Sequence, residues 1–299
     1  MSENIDARIT DQRVWFVTGS SRGLGRALIT AILEAGDLVV ATARNPKTLA
    51  EELKDHGDRV LALPLDVTSA DAARAAINAA LDHFGRLDVV VNNAGYANVA
   101  PVETADDQDF RAQFETNFWG VYHVTKAALP VLRQQGSGTV VQISSVGGRV
   151  GGSPGIASYQ AAKFAVDGFT RSLAAETAPL GVRFMVVEPS GFATDWAGSS
   201  MTVHATPEAY DSTVGAMNRR VRQGAAGSAG DPERAAEIIV RTVRRGEVPG
   251  HLLLGVNAVN LALDYSRRQL AEAEAWEAVS RSADFAEPYP VELPPTSGQ

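Results

Sequence analysis

Residues 14–35 restrict the fold more than any other part of the chain. An apolar run, Val14-Trp15-Phe16-Val17, passes through Thr18-Gly19-Ser20-Ser21-Arg22-Gly23-Leu24-Gly25 into a helical segment at 24–35, which Gly36 closes. A strand that enters a helix through a glycine-rich turn is the opening unit of a parallel α/β sheet. Each glycine has its own task. Gly19 permits the tight turn, Gly23 lets the backbone approach a phosphate, and Gly25 lets the helix pack closely. Free N–H groups at the helix start then face a pyrophosphate, with Ser21 and Leu24 in the same turn. The spacing is G-x-x-x-G-x-G rather than the more familiar G-x-G-x-x-G.

The rest of the chain repeats the alternation. Further apolar runs fall at 38–42, 60–63, 89–91, 139–143, 182–187 and 252–254, with helical patterns between them. The expectation is an α/β fold: a single-domain, Rossmann-type, doubly wound parallel sheet of about seven strands with helices on both faces. At 299 residues the chain can bury the core this needs. Residues 106–135 read as one helical stretch broken at Pro130. Residues 189–230 lack a firm period, and a connection that long is usually functional; it is expected to be a mobile lid over the substrate. The organisation expected is a flexible N-terminus at 1–11, a dinucleotide-binding domain at 12–256, a helical extension at 257–286 and a proline-rich tail at 287–299.

Chemistry is concentrated at Ser145 and at Tyr159-Gln160-Ala161-Ala162-Lys163. A tyrosine ionises near pKa 10 and is a poor proton shuttle on its own. Residues four apart on a helix share a face, so Lys163 stands beside Tyr159, and its charge favours the phenolate. Ser145 can offer a hydroxyl to the same substrate oxygen; Ser144 is its competitor. A tuned phenol and a dinucleotide site in one chain point to hydride transfer at a carbinol or carbonyl carbon. The cofactor's ribose gives a further clue. A carboxylate at the end of the second strand would bind a 2′-hydroxyl, but the chain has Arg44 there, joined by Arg22 in the glycine turn. Two guanidinium groups suit a 2′-phosphate, so NADP(H) is favoured over NAD(H).

Several classes of function fall away. The net charge of −8 argues against a nucleic-acid or anionic-membrane surface. There is no cysteine, so disulfide and thiolate chemistry are excluded, and the five histidines are too scattered to suggest a metal site. The N-terminus has no apolar signal core and no run spans a bilayer, so a cytoplasmic protein without a membrane partner is expected. Gly19-Ser20-Ser21-Arg22-Gly23 also fits the G-x-S-x-G elbow of hydrolases, but too little chain precedes it to build the oxyanion hole.

Together these motifs resemble the classical short-chain dehydrogenase/reductase family over residues 12–256. Its T-G-x-x-x-G-x-G is 18–25, its Asp-Val near the adenine is Asp66-Val67, and its N-N-A-G is Asn92-Asn93-Ala94-Gly95. Its helix asparagine is Asn117, its serine Ser145, and its Y-x-x-x-K the pair Tyr159 and Lys163. The resemblance implies a catalytic tetrad of Asn117, Ser145, Tyr159 and Lys163. Tyr159 is then the general acid/base, and Lys163 lowers its pKa and binds the nicotinamide ribose. Asn117 orders a water leading to Lys163. Thr18, Asn93, Ala94, Gly95, Pro189 and Thr194 belong to the cofactor site the resemblance implies. Gly147 is expected beside Ser145 and Tyr159 in the substrate pocket, and Trp196, Met201, Tyr210 and Met217 of the long connection are candidates to line an apolar part of it. It implies a small carbonyl or alcohol substrate and a homodimer or homotetramer. The chain departs from the family at Pro189-Ser190-Gly191, where the family has Pro-Gly; Gly191 is expected to absorb the special backbone angle instead. A non-catalytic dinucleotide sensor and a cofactor-dependent epimerase are the alternatives, separable by net turnover.

Overall fold

The computed structural model describes residues 12–192, 201–222 and 230–294. The flexible N-terminus expected at 1–11, Thr194, Trp196 and the end of the proline-rich tail lie outside them. The strands are β1 Val14–Thr18, β2 Leu38–Ala43, β3 Val60–Pro64, β4 Val89–Asn92, β5 Gly138–Ile143, β6 Val182–Pro189 and β7 His251–Leu254. They form one parallel sheet in the order β3-β2-β1-β4-β5-β6-β7. The order reverses between β1 and β4. That reversal opens a crevice beyond the carboxyl ends of the strands.

The sheet is buried on both faces, which explains its unbroken apolar runs. Successive side chains of β1 point to opposite sides. Trp15 and Val17 join a core with Leu28, Ile29, Ile32, Val39, Met185 and Ile239, beneath α1 Gly23–Glu34 and α9 Pro232–Arg244. Val14 and Phe16 join the other core, with Ile77, Leu87, Val124, Leu132, Val140 and Leu173. Its helices are α3 Ala70–Phe84, α5 Gly120–Gln135 and α7 Ala157–Thr177. Leu49 and Leu53 of α2 Lys47–Leu53 join the first core, while α4 Asp107–Phe114 and the single turn α6 Gly147–Val150 pack against α7; α8 Ala216–Arg222 lies in the long connection. The caps follow the sequence: Ser69 accepts from Ala72 N, and Asp231 accepts from Glu233 N and Arg234 N ahead of Pro232.

Two expectations are corrected here. The stretch 106–135 is interrupted not at Pro130 but at a π-helical turn, Glu115–Trp119, and Pro130 sits inside α5. Pro130 and Lys126 are both exposed, so the carbonyl left without an N–H partner can turn to water. The stretch 189–230 is not wholly irregular: it contains a 3-10 turn Glu208–Tyr210, a π turn Asp211–Gly215 and α8. Val203 of this stretch bridges to Val99, and Phe192 bridges to Gly230. Beyond β7, α10 Val256–Ala275 and α11 Glu277–Arg281 form the helical extension. Among the described residues no helix is long and apolar enough to cross a membrane.

One buried carboxylate joins the start of the sheet to α9. Asp37 is fully buried; it accepts from Trp15 Nε1 at 2.9 Å and Arg13 N at 3.1 Å, and it pairs with Arg244. Arg13 in turn donates to the Val243 and Arg244 carbonyls that end α9. Asp37→Ala should cost about 3 kcal/mol of stability, the lower end for breaking a buried pair, because Arg244 keeps some access to water. Urea unfolding of the variant checks this; a loss under about 1 kcal/mol would place Asp37 among ordinary surface-like sites.

Candidate active site

The carboxyl ends of β1, β4, β5 and β6 open into one cleft of about 1410 Å³. That exceeds the roughly 300–1,000 Å³ usual for a single small-molecule site. Its floor at one end is the turn between β1 and α1. Gly19 and Gly23 have positive φ there, 68° and 54°, as a tight turn demands. A methyl on Gly25 would collide with the Gly19 carbonyl oxygen, so that glycine is required for α1 to approach the strand. Arg22 is the residue before α1, and its side chain does not cap the helix; no acid stands in the first turn. The N–H groups at this end suit a diphosphate. Ser21, Arg22, Gly23, Leu24, Arg44, Asp66 and Val67 all line the cleft, and both arginines are exposed. Arg44 makes no hydrogen bond or ion pair among the described residues. The donor set and the cavity fit a nicotinamide dinucleotide.

Several residues expected in the cofactor site also hold the cleft walls in place. Thr18 is almost fully buried, and its Oγ1 accepts from Asn93 N at 2.9 Å and Ala94 N at 3.0 Å. Asn93 Nδ2 donates back to the Thr18 and Gly19 carbonyls. These bonds weld the loop after β4 to the glycine turn, leaving Asn93, Ala94 and Gly95 along the cleft wall. Asp66 is tied into a turn by Thr68 N and Oγ1, and Val67 packs on Gly120, where a methyl would clash with it. Pro189 also lines the cleft. No non-glycine residue among those described has positive φ, and Gly191 is not among the positive-φ glycines. The family glycine's absence is therefore met differently from the expectation. Ser190 keeps ordinary backbone angles, and its side chain lies over Gly255, where a methyl would come within 2.5 Å of Ser190 Oγ.

At the other end Ser145, Tyr159 and Lys163 converge. Ser145 follows β5 and accepts from Gly147 N at 3.1 Å. Ser144 is buried with its hydroxyl turned to the Lys163 carbonyl at 3.4 Å, which leaves Ser145 as the serine beside Tyr159. Lys163 Nζ donates to the Ile143 carbonyl at 2.7 Å and stands 5.7 Å from the centre of the Tyr159 ring. Helix α7 can come this near because Gly148 lacks a side chain; a methyl there would press on Lys163 Cβ at 2.7 Å. Burial pushes the Tyr159 phenol up to about 12, against a smaller downward pull from its hydrogen bond with Ser145. Burial also pulls the Lys163 ammonium down to about 8. In the free protein desolvation thus outweighs the pull from Ser145, and the phenol is raised rather than lowered.

Asn117 reaches the same end but is committed to the backbone. It lies in the π turn, fully buried; Nδ2 donates to the Tyr96 and Gln113 carbonyls at 2.8 Å, and Oδ1 accepts from Tyr96 N. The Gln113 carbonyl is four residues back, the kind of acceptor a widened turn releases. Asn117 fixes the Gly95–Tyr96 wall, where a methyl on Gly95 would stand 2.5 Å from Asn117 Oδ1 and 3.6 Å from Lys163 Nζ.

The substrate side holds residues the sequence did not mark. Beside Gly147 and Met217, which the sequence did single out, the lining includes Val150, Ile156, Gln160, Phe192 and Arg220. Tyr210, a candidate for that wall, instead donates to Glu103 at 2.5 Å. Asn257 and Leu261 reach the cleft from α10, whose only sequence signal was helical periodicity past the last strand. Elsewhere Asp167, Glu188 and His251 bring ligand-type atoms within 4.8 Å of one another. They are already satisfied by cations and each other: Arg149 holds Glu188 at 2.7 Å, while Arg171 and His251 hold Asp167 at 2.8 and 2.6 Å.

Residues 13–203 match the family model of the short chain dehydrogenases. The chain is 46% identical over 269 residues to the oxidoreductase BOA17 of Botryotinia fuckeliana, covering 90% of this chain and 98% of that protein. A short-chain dehydrogenase from Streptomyces avermitilis has a similar structure, with a TM-score of 0.84 and 36% identity, covering 91% of this chain and all of that one. The 3-ketoacyl-(acyl-carrier-protein) reductase of Brucella melitensis, complexed with NADH, gives a TM-score of 0.67 and 26% identity, covering 82% and 96%.

Proposed function

The chain belongs to the short-chain dehydrogenase family, and from that premise we propose that it is an NADP(H)-dependent oxidoreductase interconverting a ketone or aldehyde and its alcohol. The observation that carries this reading is the convergence of Ser145, Tyr159 and Lys163 at one end of a cleft whose other end is the glycine turn. Held by the glycine turn and Lys163, a bound nicotinamide would supply or accept the hydride. Ser145 Oγ donates to the substrate carbonyl oxygen and fixes its direction. Tyr159 Oη delivers the proton to that oxygen in reduction and removes it in oxidation. Lys163 Nζ, held on the Ile143 carbonyl, supplies positive charge behind the phenol and a donor to the ribose. Asn117 acts as a positioning residue for the wall at Gly95 and for Lys163. The lining of Val150, Ile156 and Met217 favours a substrate with an apolar body. Residues 189–230 we read as the lid that excludes water during transfer.

The coenzyme choice rests on Arg22 and Arg44 at the cleft's ribose end, with no acid following β2. The NADH bound by the Brucella reductase marks the alternative. NADPH should bind this chain more tightly than NADH, and Arg44→Asp should weaken NADPH by about 10–100-fold, the size of one charge-assisted contact. Fluorescence titration of both coenzymes checks it; equal affinities in the native protein would remove the assignment.

A panel of carbonyl compounds followed by NADPH absorbance tests the reading as a whole. Net consumption supports an oxidoreductase. Binding without consumption would make the chain a sensor, and product change without net oxidation would make it an epimerase. A homodimer or homotetramer in the cytoplasm belongs to the same proposal; the exposed Trp119 and Phe164 offer an apolar contact, and sedimentation reads the assembly.

A further inference from the structure

One buried donor in the cleft has no hydrogen-bond acceptor among the described residues. Gln160 follows Tyr159 on α7 and is 7% exposed, and its Nε2 is buried without a hydrogen-bond acceptor among the described residues. The amide cannot simply be turned over. Its Oε1 accepts the Ser153 N–H at 3.3 Å, so reversing it would set donor against donor. The free donor lies beside the reacting end of the cleft. A methyl on Gly147 would stand 3.2 Å from Gln160 Nε2 and 3.4 Å from Ser145 Oγ, so both polar atoms flank one side-chain-free position. The cleft lining mixes apolar side chains, among them Val150, Ile156 and Phe192, with a few polar ones such as Ser153 and Asn257. Buried donors are nearly always satisfied, and a few placed polar groups in an apolar pocket fix how a ligand lies.

The geometry points to Gln160 as a specificity-determining residue that donates from Nε2 to a second oxygen of the substrate. Resting on the oxidoreductase reading, this narrows the substrate class to ketones with an acceptor oxygen one or two carbons from the reacting carbonyl, such as α-diketones and β-keto esters. With the reacting oxygen on Ser145 and Tyr159, an oxygen at that distance comes within reach of Gln160. A plain ketone leaves the donor unpaired, and a pocket built to bond a group discriminates against the analogue lacking it.

The test pairs ethyl acetoacetate with 2-heptanone, the plain ketone of the same chain length, in native protein, Gln160→Met and Gln160→Glu. The native protein should favour ethyl acetoacetate in kcat/KM by about 10-fold or more. Gln160→Met keeps the length but removes the donor, so that ratio should collapse toward one. Gln160→Glu puts an acceptor where the donor stood and should lower the ratio further. Gln160→Met should melt close to the native protein, since it removes the unsatisfied donor but also gives up the long bond from Ser153 N. A fall shared equally by both ketones, or an unchanged ratio, overturns the inference and leaves the oxidoreductase reading intact. Saturation-transfer NMR with NADP(H) present reads binding without turnover. Ethyl acetoacetate bound equally by native protein and Gln160→Met also overturns it. Binding that depends on Gln160 with no reduction sinks the oxidoreductase reading and supports the inference.

Discussion

Tyr159→Phe should lower turnover by roughly 10²–10⁴-fold, the contribution of a positioned proton donor, while NADPH binding stays within a few-fold of native. The phenyl ring fills the same buried site, so the helix, Ser145 and Lys163 keep their places and only one oxygen is lost. Burial holds the native phenol near 12, so at neutral pH it carries its proton. That is the form needed to reduce a carbonyl. Oxidation of the alcohol needs the phenolate instead, so its rate should climb with pH above neutrality, while reduction stays flat or falls. Stopped-flow kinetics in both directions checks the pair of slopes, and near-native reduction by Tyr159→Phe would end the mechanism.

Legibility in the sequence followed the range of the interaction. The unit of β1, glycine turn and α1 was readable because each residue there obeys a local rule: apolar run, positive φ, free helix start. Tyr159 and Lys163 were readable because a four-residue helical spacing is itself geometry, whereas Ser145, in the loop after β5, was separated from Ser144 only by the family's spacing to the tyrosine. Asn117 was legible only by resemblance, since its use depends on a π turn that no period announces. The misplacement of the break at Pro130 has the same origin. Proline's cost depends on whether the orphaned carbonyl faces water, and that is set by packing. Gln160 looks like filler between Tyr159 and Lys163 until its amide is found buried beside Gly147. Arg149, Asp167, Glu188 and His251 come from four separate elements, so their ion pairs leave no mark in the spacing. Asn257 and Leu261 reach the cleft only because β7 is the last strand on that edge and α10 starts where it ends.

Lys163→Met should abolish turnover and, at neutral pH, make the free protein more stable. The two effects have one cause. Lys163 is buried, and burial lowers its ammonium from 10.5 to about 8. The unfolded chain therefore binds the proton more tightly than the folded one. Below about pH 8 both states are charged and the whole desolvation penalty is felt, on the order of 3 kcal/mol. Between about 8 and 10.5 the folded state releases its proton first, so stability rises with pH as the penalty fades. Methionine has no charge to desolvate, and its length fills the same space. It does give up the bond to the Ile143 carbonyl, which offsets about 1 kcal/mol. The expected net gain near pH 7 is roughly 2 kcal/mol, a few degrees in melting temperature. That gain should vanish by pH 10.5. Tyr159 bends the curve the other way in a higher window, since between 10 and about 12 the folded phenol keeps a proton the unfolded one has lost. Thermal melts of native protein and Lys163→Met from pH 6.5 to 10.5 resolve this, together with turnover at each pH. A variant less stable than native across the whole range would mean that Lys163 is a structural cation. More stable at neutral pH and inactive, it would mark Lys163 as a charge the fold keeps at a loss for the sake of the reaction.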